Sequence, residues 1–508
     1  MSQLLSSPVL RARLLPLGLL LAVALGWLTA HGGLLVPGLL MTLAVAVPFL
    51  LALFHQPRLG IIGLIVYCFV LFIPVREVGG APYGMAVDGL LVLTWVAVAL
   101  QYERYQWHRL RNDLGLATLL WMGYNVLELG NPEGASVSGW FQEMRSTALY
   151  WALLVPLVLL LFHQRRDLNL FLYLIIGLSV LGALNGLKQQ LLGLSPGEQA
   201  FLNENTKTHL LWGKLRVFSF YSDAGQFGAA QAHILVVALV LALGPFAPWK
   251  RVLLGVAAAL LLVGMLISGT RGALFALGTG IAVALLVSKN IKALVIGGML
   301  ALAAFGLLKY TTIGNQNYSI YRLRTGLDPQ DASFNVRLQN QLALADYLKS
   351  RPWGGGVGII GNTGIHYNPG KYLASIPPDS YWVKVWAMYG VAGLVLWLGI
   401  MVYILGYGGA VVWRTRDPAL KVKLLALLAG AAGSLLCSYG NEVINFMPSA
   451  LIVYVSWAFL FMGPQLDTSH PGPRSRGEEE PNVSNDARTP RGRSARAARP
   501  RPSELLPS

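Results

Sequence analysis

The sequence predicts an all-α polytopic membrane protein of about 12–14 transmembrane helices with a large, partly helical loop. Three observations predict this. The chain has 508 residues, of which 55% are hydrophobic and only 12% charged, whereas a soluble domain carries about 25% charged residues. About fourteen apolar runs approach the roughly 17–25 residues needed to cross a bilayer. They fall at 14–30, 34–54, 59–74, 85–101, 114–130, 147–162, 168–191, 226–246, 252–269, 272–288, 292–309, 381–410, 419–438 and 446–463. Finally, the basic residues are placed between these runs with a strong alternation of sides.

The first run follows Arg11 and Arg13 and is not followed by a small-residue cleavage site, so it reads as a retained signal anchor. With the N-terminus cytoplasmic, the inner segments before the tail hold sixteen Lys and Arg, from Arg11 to Lys423. The short outer loops hold three: Arg76, Arg145 and Arg271. This bias follows the rule that short cytoplasmic loops are basic. It predicts an even number of spans, both termini inside, and the two longest loops, about 192–225 and 310–380, outside. The net charge of +16 therefore reads as membrane orientation, and no nucleic-acid partner is expected. The membrane domain is expected to span 1–463. The tail, 464–508, is rich in Pro, Arg, Ser and Glu, lacks the apolar content for a core, and reads as disordered and cytoplasmic. Its eight arginines suit contact with anionic lipid heads. Cys68 and Cys437 both lie in or beside apolar runs and offer neither a disulfide framework nor a metal cluster.

Ionisable residues at membrane depth are costly and mark function by default. Asp88, Glu128, Lys188, Asp223, Arg271, Lys384 and Glu442 lie in or beside spans, toward the outer ends on this topology. Either they line an outward polar cavity or they snorkel and pair between helices. Arg271 stands in ISGTRGALFALG, a short turn between two spans flanked by Ser268, Gly269, Thr270 and Gly272. A guanidinium fork there suits phosphate oxygens; the alternative is a topological anchor. In KLRVFSFYSDAGQFGAAQAH, Arg216 precedes Phe218, Phe220 and Tyr221, which form either an interfacial belt or a sugar platform. Asp223 is placed to cap a helix starting near Gly225, carrying Gln226 and Gln231 into the membrane.

In the long loop, Asp331 or Ser333 is placed to cap a helix ending before Pro352. Phe334, Leu338, Leu342, Ala345 and Leu348 form its apolar stripe, with Arg337 at the polar edge. RPWGGGVG then lacks the lysine and the strand–helix context of a phosphate-binding loop; close packing against the membrane is the expectation. His366 in GNTGIHYNPG is either a surface histidine or a base. Asp379, in IPPDSYWVKVW where the chain re-enters the membrane, is a helix cap, a base, or both.

The succession SGTRGAL, FNVRLQNQLALADYLKSRPWGGGVG and PPDSYWVKVWAMYGVAGLVLWL resembles the O-antigen ligase/polymerase superfamily of bacterial envelope proteins. Its members carry a Ser-Arg-Gly turn, a loop-helix arginine followed by a Pro-x-x-Gly-x-Gly turn, and a His-Asn pair before a span. FSFYSDAGQFGAAQAH is similar to that family's upstream segment, so the resemblance covers about 210–410. It implies transfer of a glycan from an undecaprenyl-diphosphate donor to an acceptor hydroxyl at the periplasmic face of the bacterial inner membrane. The acceptor would be another glycan, lipid A-core, or a protein Ser or Thr. The reaction inverts the anomeric carbon and needs no cofactor and no metal. Carried over, Arg271 and Arg337 grip the diphosphate with Arg216 assisting, Asp379 or His366 is the base, and Asp223, Gln226 and Glu442 line the cavity. The family's His-Asn position reads Asp379-Ser380 here. The competing reading is a transporter or flippase for a lipid-linked or anionic solute, which predicts internal repeats and midplane charges.

Overall fold

The computed structural model describes residues 35–133, 135–289, 291–316, 318–327, 332–378 and 380–468. The expected first span, Asp331, Asp379 and the tail beyond 468 lie outside the described residues. Within them the chain is almost entirely helical, and nine helices are long and apolar enough to cross a membrane. Three shorter apolar helices accompany them, at Leu43–His55, Met85–Ala99 and Leu294–Tyr310. The protein is thus an all-α polytopic membrane protein.

The helices are α1 (Leu35–His55), α2 (Arg58–Val70), α3 (Phe72–Glu77), α4 (Met85–Ala99), α5 (Asp113–Leu127), α6 (Val137–Met144) and α7 (Tyr150–Leu161). Then come α8 (Arg165–Leu191), α9 (Pro196–Glu204), α10 (Thr206–His209), the small antiparallel hairpin β1 (Leu210–Leu211) and β2 (Lys214–Leu215), α11 (Ala224–Ala242) and α12 (Pro248–Ile267). The chain continues through α13 (Arg271–Ser288), α14 (Ile291–Tyr310), α15 (Tyr318–Thr325), α16 (Ala332–Leu348) and α17 (Gly361–Tyr367). It ends in α18 (Tyr381–Arg414), α19 (Pro418–Cys437) and α20 (Ser449–Thr468).

Helix starts follow local chemistry. Ser195 accepts from Glu198 N while the Glu198 carboxylate accepts from Ser195 N, a reciprocal cap that begins α9 with Pro196 in its first turn. Asp417 caps α19 by accepting from Ala419 N and Leu420 N, again with Pro at the first position. The centre of the bundle is α11. Nearly every residue along it is buried, as expected of a helix that is apolar all round and surrounded by others. It packs on α8, α12, α13 and α19. Small residues permit the close approaches: Gly433 of α19 abuts the Ala276 backbone of α13 so tightly that a Cβ would collide with it.

The long loop is not a separate domain. It is strapped to the segment before α6 and to α6 itself. Arg351 Nε lies 2.9 Å from Glu133 Oε1, Asn368 Oδ1 accepts from Ser136 N at 2.7 Å, and Thr363 Oγ1 donates to Glu143 Oε2 at 2.7 Å. The glycine-rich turn docks on a break in α18. Gly390 adopts φ 65°, ψ −166° inside that helix, and the backbone groups freed there pair with the turn. Gly355 N donates to Ala387 O at 2.9 Å, Gly356 N to Met388 O at 3.0 Å, and Ala392 N to Pro352 O at 3.3 Å. Glycine is required on both sides, since a Cβ at Gly354 or Gly390 would strike the facing backbone. The expected close packing of RPWGGGVG is met, against a helix break.

One expectation about this loop is corrected. The inward face of α16 carries Leu344 and Leu348, both buried, whereas Leu338 and Leu342 are exposed. Arg337 stands seven residues before Leu344, two turns away on the same face, so it belongs to the inward stripe and not to a polar edge. The helix begins at Ala332, so of the two cap candidates Ser333 lies inside it, while Asp331 lies outside the described residues.

Candidate functional site

The site forms where the starts of α11, α13 and α18 meet the segment that follows α19. The Ser268–Thr270 turn places Arg271 at the first position of α13, with Gly269 at φ 59° making the reversal. Thr270 occupies the cap position but does not cap: its hydroxyl donates instead to Ala224 O at 2.7 Å. No side chain caps α13, and its amide-rich, positive end faces the same region as Arg271.

Arg216 wraps around this turn. Its guanidinium donates to Ser268 O at 3.2 Å, to Thr208 O at 2.8 Å and to Thr270 Oγ1 at 3.2 Å. Asp223 caps α11, accepting from Gly225 N at 2.6 Å and Gln226 N at 3.0 Å. Gln226, 1% exposed, donates to Glu442 O at 2.7 Å. Asn441 abuts Gly225. The Arg337 guanidinium comes within 3.9 Å of where a Cβ on Gly440 would stand. Gly272, next to Arg271, faces Cys437 at the other side of the same segment. The structure therefore brings Arg216, Arg271, Arg337, Asp223, Gln226 and Glu442 to one rim, from four separate stretches of sequence.

Beneath the rim lies a buried ion cluster. Lys384 Nζ is 2.8 Å from Glu143 Oε1 and 2.9 Å from Glu442 Oε2, with side-chain exposures of 8%, 4% and 16%. Of the ionisable residues singled out in the sequence, Asp88 pairs with Arg145, Lys188 with Glu198, and Lys384 with both glutamates. For these the interhelical-pairing alternative holds. Glu143 was missed: it lies just before the 147–162 apolar run, and a carboxylate beside a span is the signal that marked Glu442. Arg76 was read as a short-loop basic residue. It lies within α3 and donates to the carbonyls of Ser219, Tyr221 and Ser222, between the rings of Phe201 and Phe218 at 4.3 and 4.6 Å. It thereby holds the strand of backbone between Arg216 and Asp223.

Two further expectations are corrected. Phe218 and Tyr221 are buried, at 0% and 1% exposure, and pack against Phe201, His209 and Phe227. They are core, neither sugar platform nor interfacial belt. The cap of α18 is Ser380, whose Oγ accepts from Val383 N at 3.3 Å, and not Asp379, which lies outside the described residues. His366 is not brought to the arginines. It is exposed on α17 and meets Tyr367 edge-on at 4.7 Å; its helix is tied to α6 through Thr363 and Glu143.

His209 holds the rim from below. It is buried among Phe201 and Phe218, its Nε2 accepts from Ala224 N at 3.2 Å, and its Nδ1 lies 2.9 Å from Thr208 Oγ1. Burial lowers its pKa below the ordinary 6.5, with Asp223 pulling the other way. A neutral ring is also what the acceptor role requires. Among the described residues no cluster of His, Cys, Asp and Glu could hold a metal ion.

A cationic rim of three guanidinium groups and a helix N-terminus is suited to a multiply charged phosphate anion. The comparison with known families agrees: residues 256–398 match the O-antigen ligase family model, Wzy_C. This stretch is similar to the O-antigen ligase domain. It includes Arg271, Arg337, Lys384 and Gly390, while Arg216, Gln226 and Glu442 reach the domain from outside its bounds. No curated protein matches the chain. The O-antigen ligase match supports glycan transfer of the ligase or polymerase type by a multi-pass membrane protein.

Proposed function

We propose that the chain transfers a glycan from a polyprenyl-diphosphate-linked donor to an acceptor hydroxyl at the periplasmic face, as a polysaccharide polymerase or ligase. The observation that carries this reading is the convergence of Arg216, Arg271 and Arg337 on one rim. Arg271 and Arg337 bind the diphosphate. Arg216, bonded to the turn that presents Arg271, assists chiefly by fixing that turn. As the glycosidic bond to the leaving phosphate breaks, negative charge grows on the diphosphate, and donors placed beforehand stabilise it by several kcal/mol. The acceptor oxygen attacks the anomeric carbon from the opposite side and inverts it, passing its proton to a base, Asp379 or His366. This chemistry draws on no cofactor or metal. Both termini are cytoplasmic in this reading, and the protein resides in the bacterial inner membrane.

The test is Arg271→Ala and Arg337→Ala in the full chain, checked for expression and unaltered melting. The readouts are chain-length distribution and lipid attachment of surface polysaccharide. Loss of long chains with single-unit capping retained indicates a polymerase, and loss of all attachment a ligase. Full retention of both phenotypes in well-folded variants would sink the catalytic reading.

A further inference from the structure

The far end of the bundle carries a second feature. Helix α11 starts at the arginine rim and ends at Ala242; its 19 residues at about 1.5 Å each make a rise of roughly 28 Å. At that far end a groove of about 420 Å³ opens between α8, α11 and α12, a volume within the range of small-molecule sites. Its walls are apolar, with Tyr173, Ile176, Leu254 and Ala257 among them, and Phe246 and Trp249 stand at its mouth. Two lysines share that mouth, Lys250 from the start of α12 and Lys423 from α19.

Within the described residues nothing neutralises these lysines. Neither makes an ion pair there. Lys250 lies over the Trp249 ring at 5.4 Å and Lys423 over Phe246 at 5.6 Å. The two ammonium groups repel one another, and Arg165 adds to the field on Lys423. Asp417 is the acidic group that acts on Lys423, but it is engaged by Arg165 and by the amides of α19 that it caps. The outer wall is apolar and exposed, with Trp249 and Leu253 at 65% and 61%. The groove therefore offers an apolar slot for a chain and an unneutralised dication for a headgroup.

We propose that this groove binds one anionic glycerophospholipid, its phosphate between Lys250 and Lys423 and an acyl chain along α8 and α12. Basic pockets between transmembrane helices recognise anionic lipid heads in this manner. The site is separate from the arginine rim and does not depend on the reading of that rim.

The test uses the full chain purified in neutral detergent, titrated with phosphatidylglycerol, phosphatidylethanolamine and diacylglycerol of matched acyl chains, with adducts counted by native mass spectrometry. One phosphatidylglycerol is expected to bind more tightly than either other lipid. Lys250→Gln should weaken it about fivefold, and Lys250→Gln with Lys423→Gln about thirtyfold. Gly177 lines the groove and has open space where a Cβ would stand, so Gly177→Leu should fill the slot without disturbing the fold. It should abolish the adduct with both lysines intact, and all variants should melt as wild type in lipid-free detergent. Equal binding of phosphatidylglycerol and diacylglycerol overturns the proposal. So does an adduct unchanged in the double-lysine variant or in Gly177→Leu, or a dimer in place of a lipid adduct.

Discussion

Replacing Lys384 by methionine removes a cation shared by Glu143 and Glu442. In the native protein its ammonium lies 2.8 and 2.9 Å from the two carboxylates, and its side chain is 8% exposed. Methionine nearly preserves volume and adds no polar group. What remains is two carboxylates that have lost the lysine they share. Breaking a buried pair by deleting one partner costs about 3–5 kcal/mol. Because both glutamates draw on the same lysine, the losses do not simply add. Glu442→Gln alone leaves the Lys384–Glu143 pair and should cost less, about 1.5–3 kcal/mol for a hydrogen bond to a charged group. Removing all three charges, with Glu143→Gln and Glu442→Gln added to Lys384→Met, should recover much of the loss, since an uncharged replacement of a buried cluster is often near neutral. The assay is equilibrium or thermal unfolding in detergent across this set, with glycan transfer measured in parallel. Glu442 O also accepts from Gln226, so Lys384→Met should loosen the rim and lower transfer more than it lowers folded protein. A Lys384→Met protein as stable as wild type, or a coupling between Lys384 and Glu442 below about 0.5 kcal/mol, would refute the cluster as the tie between α6, α18 and the segment after α19.

Gly390→Ala places a Cβ against the Pro352 carbonyl in a left-handed backbone position; strain alone is worth about 1–3 kcal/mol. Limited proteolysis should then cut the 310–380 loop faster than in wild type, and an unchanged digestion rate would count against the docking of the glycine turn on the helix break. His209 is neutral when folded and its pKa lies below 6.5, so the unfolded chain binds more protons as pH falls. Its contribution is present above pH 6.5 and is lost as pH drops through the folded pKa. His209→Asn should flatten the stability curve over that window, which unfolding measured at a series of pH values will show.

Much of the architecture was legible because lipid imposes a simple rule. Long apolar runs must become helices, and Asp223, Ser268–Thr270 and RPWGGGVG announced a cap, a tight turn and a close approach from residue chemistry alone. The 34-residue helix α18 shows the limit: its break at Gly390 arises from a partner about 35 residues earlier, and hydropathy has no memory of that. The stripe on α16 misled for a related reason. Leucines at helical spacing point to a core in water, but at a membrane they also face outward, as Leu338 and Leu342 do. Arg216, Arg271 and Arg337 were found as single residues by their cost at membrane depth or in a polar loop. Their convergence was not, because Arg76, Gln226 and Asn441 set it through contacts between distant segments. Glu143 could have been read from the rule that found Lys384; Arg76 could not, since an arginine between two spans looks the same whether it orders a carbonyl turn or meets water.

The base is the part of the proposed reaction the geometry narrows by elimination. Asp223 spends one carboxylate oxygen on two amides and the other on Ser222 Oγ. Glu442 is held by Lys384. Both carboxylates are thus already engaged in holding the rim. That leaves the two residues named from the sequence, and they predict different pH–rate curves. Carboxylates titrate two to three units below imidazoles in their ordinary ranges. A carboxylate base therefore keeps transfer level to lower pH than an imidazole base does. Asp379→Asn should then abolish turnover while leaving donor binding to the three arginines intact, and His366→Ala should retain it. The His366 ring meets its neighbour Tyr367, whereas Ser380 caps the helix whose next residue, Tyr381, bonds to Ser438 O at 2.9 Å. Retained transfer in Asp379→Asn, together with lost transfer in His366→Ala, would move the role to His366 and require the loop around α17 to shift toward the rim before the acceptor is activated.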